Sequence, residues 1–395
     1  MKIKLTRITD GRKIIPEIEG LRFVSILLVV VSHIHNNTLR VYPQELQATT
    51  ASSFSGMFLE ECGNGVNIFF FISGFILAIP FFRDYVYNQK KVSLKHYYYR
   101  RLTRIEPPYI ISLIFFLLVA IFLMRQPTID ALKHFAASAF YSHNVIYNHI
   151  STINPVAWTL EIEVQYYLIA PLIAVALFFK NRIARTISLL LLFILSGTLY
   201  FQNADFFEQH HLTKSLLAYS SIFVAGIIVA DWYLTQKNFL SDAKNILFDV
   251  LGVAAIYCII TLSGFQSLGY RLFLFACYFI MFISTFKGIW LNKILTNKWI
   301  TIIGGMCYSI YLMHYAVIYF ITQTFSKQIL TFSYATDITI QSLILIPVIL
   351  IASGIFFVLF ERPFMNVRWP QELRHFAQKR YAGIFGRKQK ARKQA

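Results

Sequence analysis

Apolar residues fall into long runs between residues 20 and 360, separated by short polar stretches. A helix rises about 1.5 Å per residue, so about 20 apolar residues cross a hydrocarbon core. Ten runs have that length, at 20–38, 65–82, 104–124, 157–179, 184–201, 214–233, 246–264, 269–287, 303–325 and 338–360. The pattern predicts an all-α fold, a polytopic membrane protein built as a bundle of about ten transmembrane helices. The stretch 128–150, containing DALKHFAASAFY, is short and amphipathic and is expected to lie along the outer interface. No internal repeat of the kind that marks many transporter halves is visible.

Lysine and arginine orient the bundle. Lys2, Lys4, Arg7, Arg12 and Lys13 precede the first run, which predicts a cytoplasmic N-terminus. The alternate loops then fall inside with their cations: Lys90, Lys91, Lys95, Arg100 and Arg101; Lys180, Arg182 and Arg185; Lys237 and Lys244; Lys287, Lys293 and Lys298. The loops left outside (39–64, 125–156, 202–213, 326–337) hold few cations, and an even span count returns the tail, with RKQKARK, to the cytoplasm. The expected organisation is a basic leader at 1–19, a membrane domain at 20–364 and a basic tail at 365–395. The leader has no small-residue cleavage site, so a retained anchor is expected rather than a signal peptide.

Composition supports this picture. The 395 residues are 56% hydrophobic and 14% charged, with a mean hydropathy of +0.55, whereas soluble domains carry about 25% charged residues. The formal charge of +18 sits between apolar spans and in the tail, so nucleic acid is not an expected partner. Cys62, Cys258, Cys277 and Cys307 show neither disulfide nor metal spacing, and no metal is expected. The sequon Asn36-Asn37-Thr38 abuts the membrane and reads as a chance match.

The candidate chemistry begins in the first span, EIEGLRFVSILLVVVSHIHNNT (17–38). Arg22 and His33 are eleven residues apart, which returns to within about 20° of one face, about 16 Å further along the axis. An arginine at a helix end snorkels and a histidine can bond a neighbouring helix, but both on one stripe point to a functional pair. In FFFISGFILAIPFF, Ser73 and Gly74 read as a small-residue packing face. YYYRRLTRIEPPY opens the third span, with Arg100, Arg101 and Arg104 clustered at an expected helix start. These cations serve either as positive-inside anchors or as a phosphate clamp, since guanidinium forks and helix N-termini both suit phosphate. AWTLEIEVQYYLIAP carries Glu161 and Glu163, which point about 200° apart on a helix, so at most one faces a given cavity. Trp158, Tyr166 and Tyr167 suit the outer aromatic belt. His314 lies within an apolar helix, and Glu361-Arg362-Pro363 closes the last span, where adjacent charges usually cap and snorkel.

Together these pieces resemble the acyltransferase family 3 membrane proteins, which acylate hydroxyls on bacterial cell-surface and exported carbohydrates. The matching segments run in order over roughly 15–365: GLR and, ten residues on, a histidine (Arg22, His33); FFFISGF (Phe69–Phe75); RRLTRIEP (Arg100–Pro107); WTLEIEVQYYLIAP (Trp158–Pro171); CYSIYLMH (Cys307–His314); and ERPF (Glu361–Phe364). Cys307 stands where the family usually has Ser, and Phe23 and Ser25 replace small residues; neither departure is expected to touch the chemistry. The chain stops soon after the last span, so the extracytoplasmic hydrolase-like domain of some members is not expected.

The resemblance implies a cytosolic acyl-CoA donor, acetyl-CoA by the family's habit, and a carbohydrate or other hydroxyl acceptor, in a bacterial cytoplasmic (inner) membrane. His33 is then expected as general base on the acceptor hydroxyl, or as an acyl carrier. Glu163 is expected to orient it, and Arg22 to hold donor phosphate or stabilise the oxyanion. Arg100, Arg101 and Arg104 are expected to hold coenzyme A, and Trp158, Tyr166 and His314 to contact the acceptor. The competing readings are a transporter or flippase of a lipid-linked sugar or small molecule, using Arg, His and Glu as a proton relay, and a scaffold subunit in which Arg22 and His33 are dispensable.

Overall fold

The computed structural model describes residues 5–8, 14–241, 243–264, 267–326, 333–366 and 368–371. Leader residues Lys2, Lys4, Arg12 and Lys13 and the tail from 372 onward lie outside them. Every regular element among the described residues is helical, and each of the ten apolar runs falls on a helix. In a bilayer the backbone must satisfy itself, and helices do so segment by segment.

The first helix, α1 (Pro16–Leu39), opens with Pro16, whose missing N–H is no loss at a helix start. α2 (Gln44–Ala51) and α3 (Phe54–Glu61) lead into α4 (Val66–Phe81), and α5 covers Leu94–Leu118. α6 (Thr128–Ala139) and α7 (His143–Tyr147) form the short amphipathic pair, followed by α8 (Trp158–Leu177), α9 (Arg182–Gln202) and α10 (Ala204–Gln209). Next come α11 (Leu216–Thr235), α12 (Lys237–Ser241), α13 (Ile246–Leu262) and α14 (Leu268–Lys287). α15 (Trp290–Leu295), α16 (Lys298–Gly305), α17 (Cys307–Ile321) and α18 (Tyr334–Phe356) complete the chain.

Among the described residues, eight helical stretches are long and apolar enough to cross a membrane. The run at 303–325 is instead a broken span, α16 and α17 meeting at 73° around Gly305 and Met306, and the run at 246–264 is the shorter helix α13. A second difference concerns α5, which begins at Leu94 rather than 104, because the Ser93 hydroxyl caps it by accepting from His96 N at 3.3 Å. Hydropathy does not register the polar, aromatic turns KHYYYRR that precede the apolar part. Arg100, Arg101 and Arg104 therefore sit within the helix rather than at its N-terminus, so no helix-end amides assist them.

α1 is the central post, packed against α4, α16, α17 and α18. Its crossing with α16 is close: a Cβ at Gly304 would stand 1.9 Å from Glu19 O. α4 and α11 cross equally tightly, Gly74 against Phe223 O and Gly226 against Phe71 O, each with 2.1 Å for a Cβ. Gly74 thus serves the close approach expected of it. Around that crossing Phe71 stacks on Tyr278 at 5.1 Å and Phe75 packs tilted against Phe282 at 4.9 Å.

Because backbone, not a flexible side chain, occupies the space beside Gly226, a Gly226→Leu chain should lose about 1–3 kcal/mol by overpacking. The check is a thermal scan in detergent with size-exclusion profiles; a wild-type midpoint would show that the two helices do not meet there.

Candidate active site

A continuous cavity of about 2010 Å³ lies within the bundle among the described residues. Its wall carries Arg83, Lys90, Lys91, Arg100, Arg101, Arg104 and Arg368 at one end and His33, Asn36, Asn64, Trp158, Lys214 and Tyr219 toward the other. Between these ends lie Glu19, Arg22, Ser73, Glu163, Tyr167, Cys307, Tyr308, Tyr311 and Glu361. A polar path in a membrane bundle is stable where its groups satisfy one another, and several pairs along this wall do so while a few groups stay open to the cavity.

At the basic end Arg101 donates from Nη1 to Tyr97 O (3.2 Å) and lies 3.8 Å over the Tyr97 ring. Arg104, one turn deeper, has no hydrogen-bond or ion-pair partner among the described residues, although its charge faces Glu361 and Glu19. A guanidinium left open on a cavity wall is a ready donor to an anion.

Further in, Glu19 is a shared carboxylate. Arg7 reaches it at 2.5 Å from the leader, and Arg22 donates from Nη1 to Oε1 at 3.1 Å and Oε2 at 3.2 Å. Burial, with Arg104 and Arg22 nearby, pulls the Arg7 guanidinium down to about 10, against the pull of Glu19. Glu361 is buried, not snorkelled. A π turn over Phe357–Glu361 swings it inward, where it accepts from Ser309 N (3.0 Å) and from the Ser309 hydroxyl.

Glu163 faces the cavity and accepts from the Ser73 hydroxyl at 2.5 Å. Arg22 is a nearby cation for it, and no hydrogen bond or ion pair joins Glu163 to His33. Glu161 points the other way, as the 200° separation requires. It is fully buried rather than wet, and its Oε2 accepts from Asn144 N (3.0 Å) and Nδ2 (2.9 Å), tying α7 to α8.

His33 opens onto the cavity between two rings, His314 at 5.2 Å and Tyr315 at 5.2 Å edge-on. His314 is fully buried, and its Nδ1 lies 2.9 Å from both Ile310 O and Tyr311 O. Carbonyls only accept, so Nδ1 carries the proton and Nε2 is a bare lone pair, without a partner among the described residues. Trp158 lines the cavity with Tyr219 at 5.7 Å. Tyr166 does not: it is buried in the apolar core, 4.3 Å from Phe223, and its neighbour Tyr167 lines the wall. Adjacent helical positions differ by about 100°, so only one of the pair can face inward.

The structure thus gathers Arg22, Arg100, Arg101, Arg104, Glu163, Trp158 and His33 on one cavity, sets His314 directly behind His33, and leaves Tyr166 out. Cys307, expected to be remote from the chemistry, is on the wall. Arg7, Glu19, Ser73 and Glu361 were not expected as site residues. Glu19 had a signal, an acid three residues before Arg22 on the same face, which also suits an ordinary helix start.

A sequence model of a family described as an acyltransferase domain matches residues 15–361. Among curated proteins, the O-acetyltransferase OatA of Staphylococcus aureus (strain NCTC 8325 / PS 47) is 26% identical over 354 residues, covering 83% of this chain and 55% of that protein. OatA of Staphylococcus aureus (strain COL) gives the same identity of 26% and the same coverage, 83% and 55%. The chain therefore spans about half the length of the curated relatives it matches. No solved structure matches it.

Replacing Glu19 by Gln removes the carboxylate that Arg7 and Arg22 share. The expected result is a fall in thermal stability of about 1–3 kcal/mol, partly recovered by millimolar pyrophosphate, which can neutralise the same guanidiniums. A variant as stable as the parent, and indifferent to pyrophosphate, would remove Glu19 from the centre of the site.

Proposed function

The chain belongs to this acyltransferase family, and we propose that it is a multi-pass membrane O-acyltransferase taking an acyl group from cytosolic acyl-CoA to a hydroxyl of a cell-envelope or exported carbohydrate. The observation that carries the reading is the one cavity shared by an open, arginine-lined end and an imidazole at the far end. The name of the S. aureus relatives supports acetyl as the acyl group and oxygen as the acceptor atom. In this reading the basic end faces the cytosol, as positive-inside charge favours, and the membrane is the bacterial cytoplasmic one.

Acyl-CoA is a substrate with several phosphates on one end and a thioester on a long, flexible arm. Arg104 and Arg101, with Arg100, take the phosphates at the basic end. Arg22 is bound to Glu19, on the side away from His33, and stands about 16 Å along α1 from it. Of its two expected roles, holding the donor fits this geometry and stabilising an oxyanion beside His33 does not. The pantetheine arm spans the remaining distance and brings the thioester to His33.

His33 acts as general base. The acceptor hydroxyl gives its proton to the imidazole as its oxygen attacks the thioester carbonyl carbon; the new C–O bond forms, the C–S bond breaks, and the imidazolium returns the proton to the departing thiolate. An ester and free coenzyme A result. Glu163, fixed by Ser73 and near Arg22, balances charge midway rather than orienting His33, and His314 backs the His33 ring.

Two substitutions separate the ends. With normal membrane levels, His33→Ala should lower turnover of labelled acetyl-CoA into acceptor by about 100-fold or more. Arg104→Gln should instead raise KM for acetyl-CoA about tenfold with kcat largely kept, as loss of one charge-assisted bond implies. Parental turnover in the His33 variant would exclude it from the chemistry.

A further inference from the structure

Four groups at the His33 end of the cavity are not used by the reaction just described. Lys214 is half-buried on the wall, its ammonium 5.5 Å over the Trp158 ring. It has no hydrogen-bond or ion-pair partner among the described residues. Glu161 is the carboxylate whose charge faces it, but that side chain is fully buried, its Oε2 accepts from Asn144, and no ion pair joins it to Lys214. Trp158 and Tyr219, 5.7 Å apart, present two aromatic rings beside that ammonium. Asn36, one turn beyond His33 on α1, offers a half-buried amide to the same space, with no protein partner among the described residues.

These groups connect to His33. The Thr159 hydroxyl, next to Trp158, donates to Tyr311 Oη at 3.1 Å; the Tyr311 ring is 6.5 Å from His314, and His314 is 5.2 Å from His33. The aromatic pair and the base therefore belong to one end of one cavity.

Aromatic faces pack on the C–H faces of sugar rings, amides exchange hydrogen bonds with their hydroxyls, and a half-buried ammonium held in no ion pair can receive an anion directly. We propose that the acceptor is an acidic glycan, one with a carboxylate or phosphate on or beside the sugar that receives the acyl group, and that Lys214 binds this anion while Trp158 and Tyr219 carry the ring. The proposal rests on the acyltransferase reading and narrows its acceptor. Glu60 also lines the cavity from α3, whose Glu60 carbonyl accepts from Ser32 of α1 at 3.1 Å, and its carboxylate can accept hydrogen bonds from sugar hydroxyls.

The test compares envelope and exported glycans from cells lacking the gene with cells restored by the parent chain, Lys214→Gln, Lys214→Arg or Lys214→Glu. Membrane levels are matched, and the gene-dependent ester is located by mass spectrometry before and after phosphodiester cleavage and carboxyl methylation. The expected ester lies on or next to a sugar bearing an anion, the two treatments telling phosphate from carboxylate. Its level should fall about tenfold in Lys214→Gln, return in Lys214→Arg, and vanish in Lys214→Glu. An ester on a glycan without anionic groups, or an undiminished ester in Lys214→Gln, overturns the acidic acceptor and leaves acyl transfer standing. Absence of any gene-dependent ester in the parent overturns acyl transfer and the acidic acceptor with it.

Discussion

A charged path through a membrane bundle persists only where its charges neutralise one another, and here that task falls on Glu19. Its carboxylate takes Arg22 from its own helix and Arg7 from the leader. The close crossing of α16 over α1, where Gly304 meets Glu19 O, holds this part of the wall in place. Unpaired guanidiniums at this depth would be costly, and lone carboxylates equally so. Sharing one acid between two arginines, with Arg104 left open nearby, keeps the site net positive without expelling it from the bundle.

From that hub the remaining geometry follows a gradient of chemistry along one cavity. Guanidiniums and lysines crowd the basic end, a Ser73–Glu163 pair sits midway, and an imidazole backed by a second imidazole stands beyond them. In the proposed reaction, a donor rich in phosphate and an acceptor rich in hydroxyls enter from opposite ends. On that proposal the reacting atoms have only to meet at His33.

Much of this was legible before any coordinates. Each of the ten apolar runs falls on a helix, and the eleven-residue interval puts Arg22 and His33 on one wall. Other features depend on direction or on distant partners, which a linear pattern does not encode. Tyr166 and Tyr167 are equally aromatic, and only the rotation of α8 against α11 sends one to the core and the other to the cavity. Arg7 reads as a topogenic charge because its partner, Glu19, lies twelve residues on, a separation that no local spacing rule links. Glu361 looked like a terminal cap because the π turn that buries it leaves no mark in hydropathy. The start of α5 was misplaced for a similar reason: a capped, polar amphipathic turn is helix without being membrane span.

The central claim is that donor and base meet within this one cavity. The most direct measurement is a structure with a non-hydrolysable thioether analogue of acetyl-CoA bound in the membrane-embedded protein. The account predicts phosphates within hydrogen-bond distance of the Arg104 guanidinium and the acyl carbon beside the His33 imidazole. An analogue seated outside the cavity, or one whose acyl carbon stops at the arginine end, would contradict it.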